Sequence, residues 1–279
     1  MSKHKNAYIA ERTLEIIDTG ILVRETDQID VSAAIHSSVD RTFTLSPEEL
    51  EKLAREPIVA PGTFETELLV THQSTIEALL HESAYRKTTV LNFASAKNPG
   101  GGFIGGASAQ EESLARSSSL YASLTKDLTM YQYNRAHSSF LYSDYLIYSP
   151  DVLFWMNDNG DFLDKPVPVH VITSPAPNKG AMLQHHRENE LEALEDTFKR
   201  RIDHMLATAF SQQSECLILG AWGCGVFQND PVKVAGYFKE LLEGKYANCF
   251  KKIVFAIYGR KDVAILNIFK EAFEIPVNY

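Results

Sequence analysis

The rhythm of apolar and polar positions changes along this chain, and the change divides it. In IAERTLEIIDTG (9–20) apolar residues recur at helical spacing up to Gly20, and ILVRET (21–26) then reads as a strand. SPEELEKLARE (46–56) predicts a helix with Ser46 as N-cap, Pro47 in the first turn and Glu49 three residues after the cap. Pro57 and Pro61 mark REPIVAPGTF (55–64) as a linker. We read residues 1–60 as a mainly helical N-terminal accessory region and 61–279 as the main domain.

From there strands and helices alternate. TELLVTHQ (66–73), TTVLNFAS (88–95), YLIYSPDVLFW (145–155), VPVHVITSP (167–175), CLILGAWG (216–223) and KKIVFAIYG (251–259) read as strands. Helices are predicted at STIEALLHESA (74–84), from about Ala109, and from Asp230-Pro231. In 191–210, residues Leu191, Leu194, Phe198, Ile202, Met205 and Ala209 recur every three or four positions, an amphipathic helix. VAILNIFKEAF (263–273) closes the series. Apolar strands separated by helices predict an α/β fold, a mostly parallel sheet covered on both faces. Ligands of such sheets bind beyond the carboxyl ends of the strands.

Composition narrows the ligand. The 279 residues carry a net charge of -9, which argues against broad binding of nucleic acid or other polyanions. Any phosphates must be held by a local backbone site. No apolar run approaches the roughly 18–20 residues of a membrane span, and the N-terminus has no apolar signal core. Of three cysteines, Cys216 and Cys249 sit in apolar runs and read as core residues, and Cys224 has no base beside it in sequence. The expectation is an intracellular, reducing compartment, cytoplasmic or nuclear, with no membrane partner and a monomeric chain.

Two strand ends carry unusual chemistry. TTVLNFAS runs into KNPGGGFIGG, and CLILGAWG into CGVFQNDP; both lead to helix starts. Glycine lets backbone N–H groups converge on a ligand, and a helix N-terminus adds partial positive charge. Together the loops could cradle a diphosphate without lysine. Gly100, Gly102 and Gly105 fit G-x-G-x-x-G, but Ala96 to Pro99 intervene after the strand. Gly106-Ala107-Ser108-Ala109-Gln110 resembles a serine-hydrolase elbow, with Gln110 where glycine belongs and no strand directly before. The chain contains no P-loop and no H-E-x-x-H.

Glu111 and Glu112 follow the first loop. Ser108 to Glu111 fits a capping box, Ser108 as N-cap and Glu111 as its N3 partner, which leaves Glu112 outside the cap. Like charge and burial raise a carboxyl pKa, and a glutamic acid that keeps its proton is a general acid. A glycosidic bond needs such an acid.

N-P-G-G-G at 98–102 followed by Gln110-Glu111-Glu112 resembles the glycine loop and Q-E-E signature of poly(ADP-ribose) glycohydrolases. VLNFASAKNPGGGFIGGASAQEESLARSS (90–118) resembles the microbial type, and GAWGCGVFQNDP (220–231) its diphosphate loop. The resemblance covers about residues 60–279. It implies a macrodomain-like three-layer α/β/α fold with a mixed, mostly parallel sheet. It implies hydrolysis of the ribose–ribose bond of poly(ADP-ribose) from chain ends, without metal or cofactor. By position, Glu112 protonates the leaving oxygen and activates water, while Glu111 holds ribose hydroxyls. Gln110 positions the helix end. Asn98, Gly100, Gly101 and Gly102 line the terminal ribose and diphosphate. Gly223, Gly225 and Val226 cradle phosphates, and Phe227 packs on the adenosine side. The partners implied are poly(ADP-ribose) or ADP-ribosylated proteins, with ADP-ribose as product. An ADP-ribose-binding reader and a hydrolase of single ADP-ribose groups on protein share the cradle and stay open.

Overall fold

The computed structural model describes residues 2–25, 27–59, 65–259 and 263–276. The chain opens with helix α1 (Lys3–Thr19), the hairpin strands β1 (Ile21–Val23) and β2 (Gln28–Asp30), and helix α2 (Ser32–Arg41). Strand β3 (Phe43–Leu45) and helix α3 (Pro47–Arg55) follow, then β4 (Glu67–Thr71), α4 (Thr75–His81) and β5 (Thr88–Phe93). After a 3-10 turn at Phe103–Gly105 come α5 (Gln110–Ser117), α6 (Leu120–Lys126) and α7 (Thr129–Ala136). The long strands β6 (Leu146–Met156) and β7 (Phe162–Ser174) lead to α8 (Lys179–Gln184), α9 (Glu188–Glu192) and α10 (Leu194–Ser211). Strand β8 (Cys216–Leu219), α11 (Pro231–Glu243), β9 (Lys252–Ala256) and α12 (Val263–Ala272) complete the order.

Local chemistry sets several boundaries. Ser46 accepts from Glu49 N–H while Glu49 accepts from Ser46 N–H, so the predicted capping box of α3 forms. Gly20 ends α1 in the left-handed region at φ 69°, with its N–H on Ile16 O. Asp230 caps α11 through Val232 N–H, with Pro231 in the first turn.

The main sheet has the order β3-β6-β7-β5-β8-β9-β4. Four neighbours run parallel: β7 with β5, β5 with β8, β8 with β9, and β9 with β4. The edge made by β3, β6 and β7 is antiparallel. The sheet is thus mixed and mostly parallel, with β5 at its centre. Period-two alternation assigns its faces. Leu91, Leu217, Leu219, Ile253 and Phe255 face a core with Phe198, Ile202, Met205, Phe238 and Phe269 of α10 to α12. Val90, Cys216, Ile218 and Val254 face Ile76, Leu79, Leu114, Leu120 and Leu124 of α4 to α6. Both Cys216 and Cys249 are buried.

The N-terminal segment is woven into this body. β3 pairs with β6, Phe43 opposite Tyr148. Ile9, Ile16, Leu22, Val31 and Ile35 pack on Leu153, Trp155 and Met156 of β6. α1 also rests on the glycine loop, where Asn6 Nδ2 donates to Gly106 O (3.3 Å). The junction expected at 60/61 lies outside the described residues. The strand read at 167–175 starts earlier, because β7 pairs with β6 from Phe162 onward.

Gly106 shows how closely α1 is seated. It has φ +79°, and a Cβ there would lie 2.2 Å from Lys3 O. Gly106→Ala is therefore expected to lower stability by roughly 1–3 kcal/mol through backbone strain and displacement of α1. Urea unfolding measures this, and an unchanged midpoint would show that α1 does not rest on the loop.

Candidate active site

Three strand ends meet at one edge of the sheet, those of β5, β7 and β8. β5 pairs with both of the others, so the loops after β5 and β8 are neighbours. Their roots touch: a Cβ on Gly220 would lie 2.9 Å from Cζ of Phe93. Trp222 Nε1–H donates to Ser174 O (3.1 Å), which ties the second loop to the end of β7.

The first loop carries Asn98 and Gly100 to Gly102. Gly100 has φ 67° and Gly101 φ 59°, both left-handed, so the backbone turns twice in succession. Gly101 N–H donates to Asn98 O (3.0 Å). Asn98 is exposed. A Cβ on Gly101 would lie 2.4 Å from Glu112 Oε1 and 3.1 Å from Glu111 Oε2. The loop backbone thus lies directly on both carboxylates.

The helix start differs from the expected cap by one residue. Ala109, extended at φ -134° and ψ -174°, is the N-cap of α5, and Gln110 is the first helical residue. Ser108 therefore lies outside the cap, and the N3 acid is Glu112. Glu112 Oε2 accepts from Ala109 N–H (3.1 Å), and Oε1 from Gly102 N–H (3.0 Å). The Ala109 side chain has no acceptor, so only half of a capping box forms. Contrary to expectation, it is Glu112 that the helix end uses, and Glu111 is drawn inward. Glu111 Oε2 accepts from Ser95 N–H (2.7 Å) and Oε1 from Asn92 Nδ2 (3.2 Å).

Burial then separates the two acids. Glu111 is 3 % exposed, while Glu112 is half-buried at the cleft. Desolvation pushes the Glu111 carboxyl up to about 8, and the charge of Glu112 adds to the rise; the bonds from Ser95 and Asn92 oppose it. Burial therefore favours the protonated form of Glu111.

Gln110 fixes the head of the helix to β5. Its Oε1 accepts from Phe93 N–H (2.9 Å), and Nε2 donates to Leu91 O (2.7 Å) and Thr75 Oγ1 (3.3 Å). Arg116, one turn beyond Glu112, donates from Nη1 to Ala107 O (2.5 Å) and braces the far side of the loop.

In the second loop Gly223 is left-handed at φ 76°, and a Cβ there would lie 2.7 Å from that of Ala176. Asn229 Nδ2 donates to Gly223 O (2.9 Å) and Pro177 O (2.8 Å), holding the loop from below. Its tip is open: Gly225 is exposed and Val226 is 82 % exposed. Among the described residues, the N–H groups of Gly225, Val226 and Phe227 donate to no protein acceptor. Successive unpaired N–H groups on an exposed turn form an anion-binding nest. Phe227 is half-buried, its ring 6.2 Å from that of Tyr142, and its carbonyl accepts from Gly180 N–H (2.9 Å).

The sequence marks the two loops and Gln110 to Glu112 but not their supports. Ser95, Arg116 and Asn229 lie within the runs that resemble the family without a role that the motif assigns, and Thr75 and Tyr142 lie outside them. Tyr142 is a left-handed non-glycine residue at φ 61°, visible only in the backbone. Asn92 is a buried amide inside an apolar strand, and that polarity was the available signal.

This is a macrodomain-like α/β/α protein, with a backbone cradle at its strand ends and an acid pair beneath one side. A family model described as microbial-type PARG, catalytic domain, matches residues 10–157. A poly(ADP-ribose) glycohydrolase structure from Thermomonospora curvata is 37% identical, with a TM-score of 0.91, and the match covers 97% of this chain and 100% of that one. The same organism's enzyme bound to the inhibitor ADP-HPD aligns at 37% identity and TM-score 0.87, covering 96% and 99%. The Deinococcus radiodurans enzyme in complex with ADP-ribose aligns at 39% identity and TM-score 0.81, covering 90% and 98%. None of the curated proteins compared matches the chain. The chain belongs to the microbial-type poly(ADP-ribose) glycohydrolase family.

The raised carboxyl has a thermodynamic signature. Folded Glu111 binds its proton up to about pH 8, whereas the unfolded group releases it near 4.5. Its contribution to stability is fully present below about 4.5 and is lost as pH rises through 8. Wild type should therefore lose stability relative to Glu111→Gln across that window, read as the difference in urea midpoints. A pH-independent difference would place the charged form in the folded protein.

Proposed function

We propose that this chain hydrolyses the O-glycosidic ribose–ribose bond of poly(ADP-ribose), releasing ADP-ribose from chain ends. The observation that carries this reading is the slot at Gly101, where the loop backbone lies against Glu111 and Glu112 with no room for a side chain. A cradle that only held ADP-ribose would have no need of two acids at its edge. The relatives in complex with ADP-ribose and with ADP-HPD support the ligand class.

The roles follow from position and exposure. The diphosphate takes the open N–H groups of Gly225, Val226 and Phe227, with Gly223 shaping the turn. The Phe227 ring packs on the adenosine side. Asn98 and Gly100 to Gly102 line the terminal ribose. Glu112 is the acid at the open cleft, so it is the group that can meet the scissile bond. The step starts from protonated Glu112, which gives that proton to the 2′ oxygen of the departing adenosine ribose as the glycosidic C–O bond breaks. The terminal ribose becomes oxocarbenium-like. The carboxylate left on Glu112 then takes a proton from the attacking water, which restores the acid and completes ADP-ribose.

Glu111 lies on the floor of the cleft and offers an O–H to a ribose hydroxyl. Because burial favours its protonated form, the acid pair carries less charge beside an anionic diphosphate. Gln110 positions the helix head through β5. All these groups come from one chain, which fits a monomer. The buried thiols of Cys216 and Cys249 fit work inside the cell.

Glu112→Gln should retain ADP-ribose binding by calorimetry and lose about 10²–10⁴-fold in polymer hydrolysis, the range for removal of a general acid–base group. Hydrolysis equal to wild type would remove Glu112 from the mechanism. No ADP-ribose binding by wild type at millimolar ligand would remove the cradle.

A further inference from the structure

At the opposite end of β5 a second cavity opens, with a volume of about 350 Å³. β5 has six residues, so this cavity lies about 20 Å from the glycine loop at ~3.3 Å per residue. Arg41, Arg86 and Lys87 line it, a cationic group in a chain of net charge -9. Arg41 is engaged, its Nη2 on Asp151 Oδ2 (2.8 Å). The other two are not neutralised in the same way. Lys87 Nζ donates to a carbonyl, Gln212 O (2.9 Å), and the Arg86 side chain is exposed. Glu215, just before β8, accepts from Lys251 Nζ (2.7 Å) and the backbone N–H of Arg86 (3.1 Å), with a weaker Coulombic attraction to the exposed Arg86 side chain.

The floor is aromatic and ordered. Phe43, 37 % exposed, lies 5.4 Å from the Tyr148 ring. Buried His170 bridges Tyr148 OH (2.8 Å to Nδ1) and Asp151 Oδ1 (3.4 Å from Nε2). Asp151 reaches this position through the register shift in β6 between Ser149 and Val152, where it is left-handed at φ 49°. Such strain in a non-glycine residue costs of order 1–3 kcal/mol and concentrates at ligand sites. A guanidinium and an ammonium suit a phosphate. The volume exceeds that of a bare ion and falls in the range of small-molecule sites, roughly 300–1,000 Å³. An exposed aromatic face offers a stacking platform for a base.

We propose that this cavity is a second ligand site that takes a nucleoside phosphate, the phosphate between Arg86 and Lys87 and the base against Phe43. Two sources share that chemistry: a free nucleotide, and a unit within an ADP-ribose polymer whose end occupies the first cradle. Only the polymer source rests on the function proposed above.

Calorimetry on the full chain tests the site with ADP as the sole ligand, because ADP-ribose is itself a nucleoside phosphate and would compete. Wild type should bind one equivalent of ADP more than Arg86→Glu/Lys87→Glu, in which that equivalent is weakened at least tenfold. No ADP binding at millimolar concentration, or equal binding by the variant, overturns the proposal. Should that variant melt early, Arg86→Gln/Lys87→Gln replaces it. The imidazole resonances of His170 in wild type then read the cavity directly. They should shift with ADP, and the imidazole should titrate at higher pH; unmoved resonances overturn the site. In kinetics, a several-fold rise in KM for long polymer with unchanged kcat, absent for the shortest polymer, supports the polymer source. Lost ADP binding with unchanged polymer KM supports the free nucleotide. A chain that binds ADP through Arg86 and Lys87 but cleaves no polymer keeps this site and refutes the proposed hydrolysis.

Discussion

The site depends on one contact, two carboxyl groups pressed against a backbone that carries no side chains. Gly101 leaves the space, Gly102 and Ala109 supply N–H groups to Glu112, and Ser95 supplies one to Glu111. Each element around it serves that contact. Gln110 ties the helix head to the central strand, and Arg116 holds the far limb of the loop. Because acid and loop are bonded to one another, neither can shift alone, so the geometry of the cleft is set before any ligand arrives.

The two acids then become different groups without differing in kind. Glu111 has a partner on each oxygen but almost no access to water, and desolvation wins over those bonds. Glu112 is half-buried and keeps access to water. Adjacent positions on a helix point about 100° apart, and here that angle separates the buried interior from the half-exposed surface. Division of labour between neighbouring carboxyls needs only such a difference in surroundings.

Much of this was legible in the chain. The strand-to-glycine transitions after Phe93 and Leu219 mark the two loops, and continuous apolar runs between helices mark the central strands, which are buried on both faces. The cap was misread by one residue because Ser108 is a better N-cap by type than Ala109. The pull of Asn92 and Ser95 on Glu111 is a long-range effect, and it decides the register. β3 was not visible, since three residues, Phe43 to Leu45, show no period and take their order from β6. Helices α6 and α7 are short and have no side-chain cap bond, and they are fixed by packing of Leu120, Leu124 and Met130. The cationic cavity draws on Arg41, Lys87, Asp151 and His170, positions that only the sheet brings together.

The seat of α1 on the loop also bears on time. Asn6 and Gly106 are 100 residues apart in the chain, and Thr13 Oγ1 meets Arg116 O across 103. Closing loops of that length costs entropy before the contact returns any, so such contacts form late. Helix α1 must therefore wait for the middle of the chain. The β1–β2 hairpin is local and can form early, whereas the glycine loop and the acid pair it lies on gain the support of α1 only when these distant segments dock.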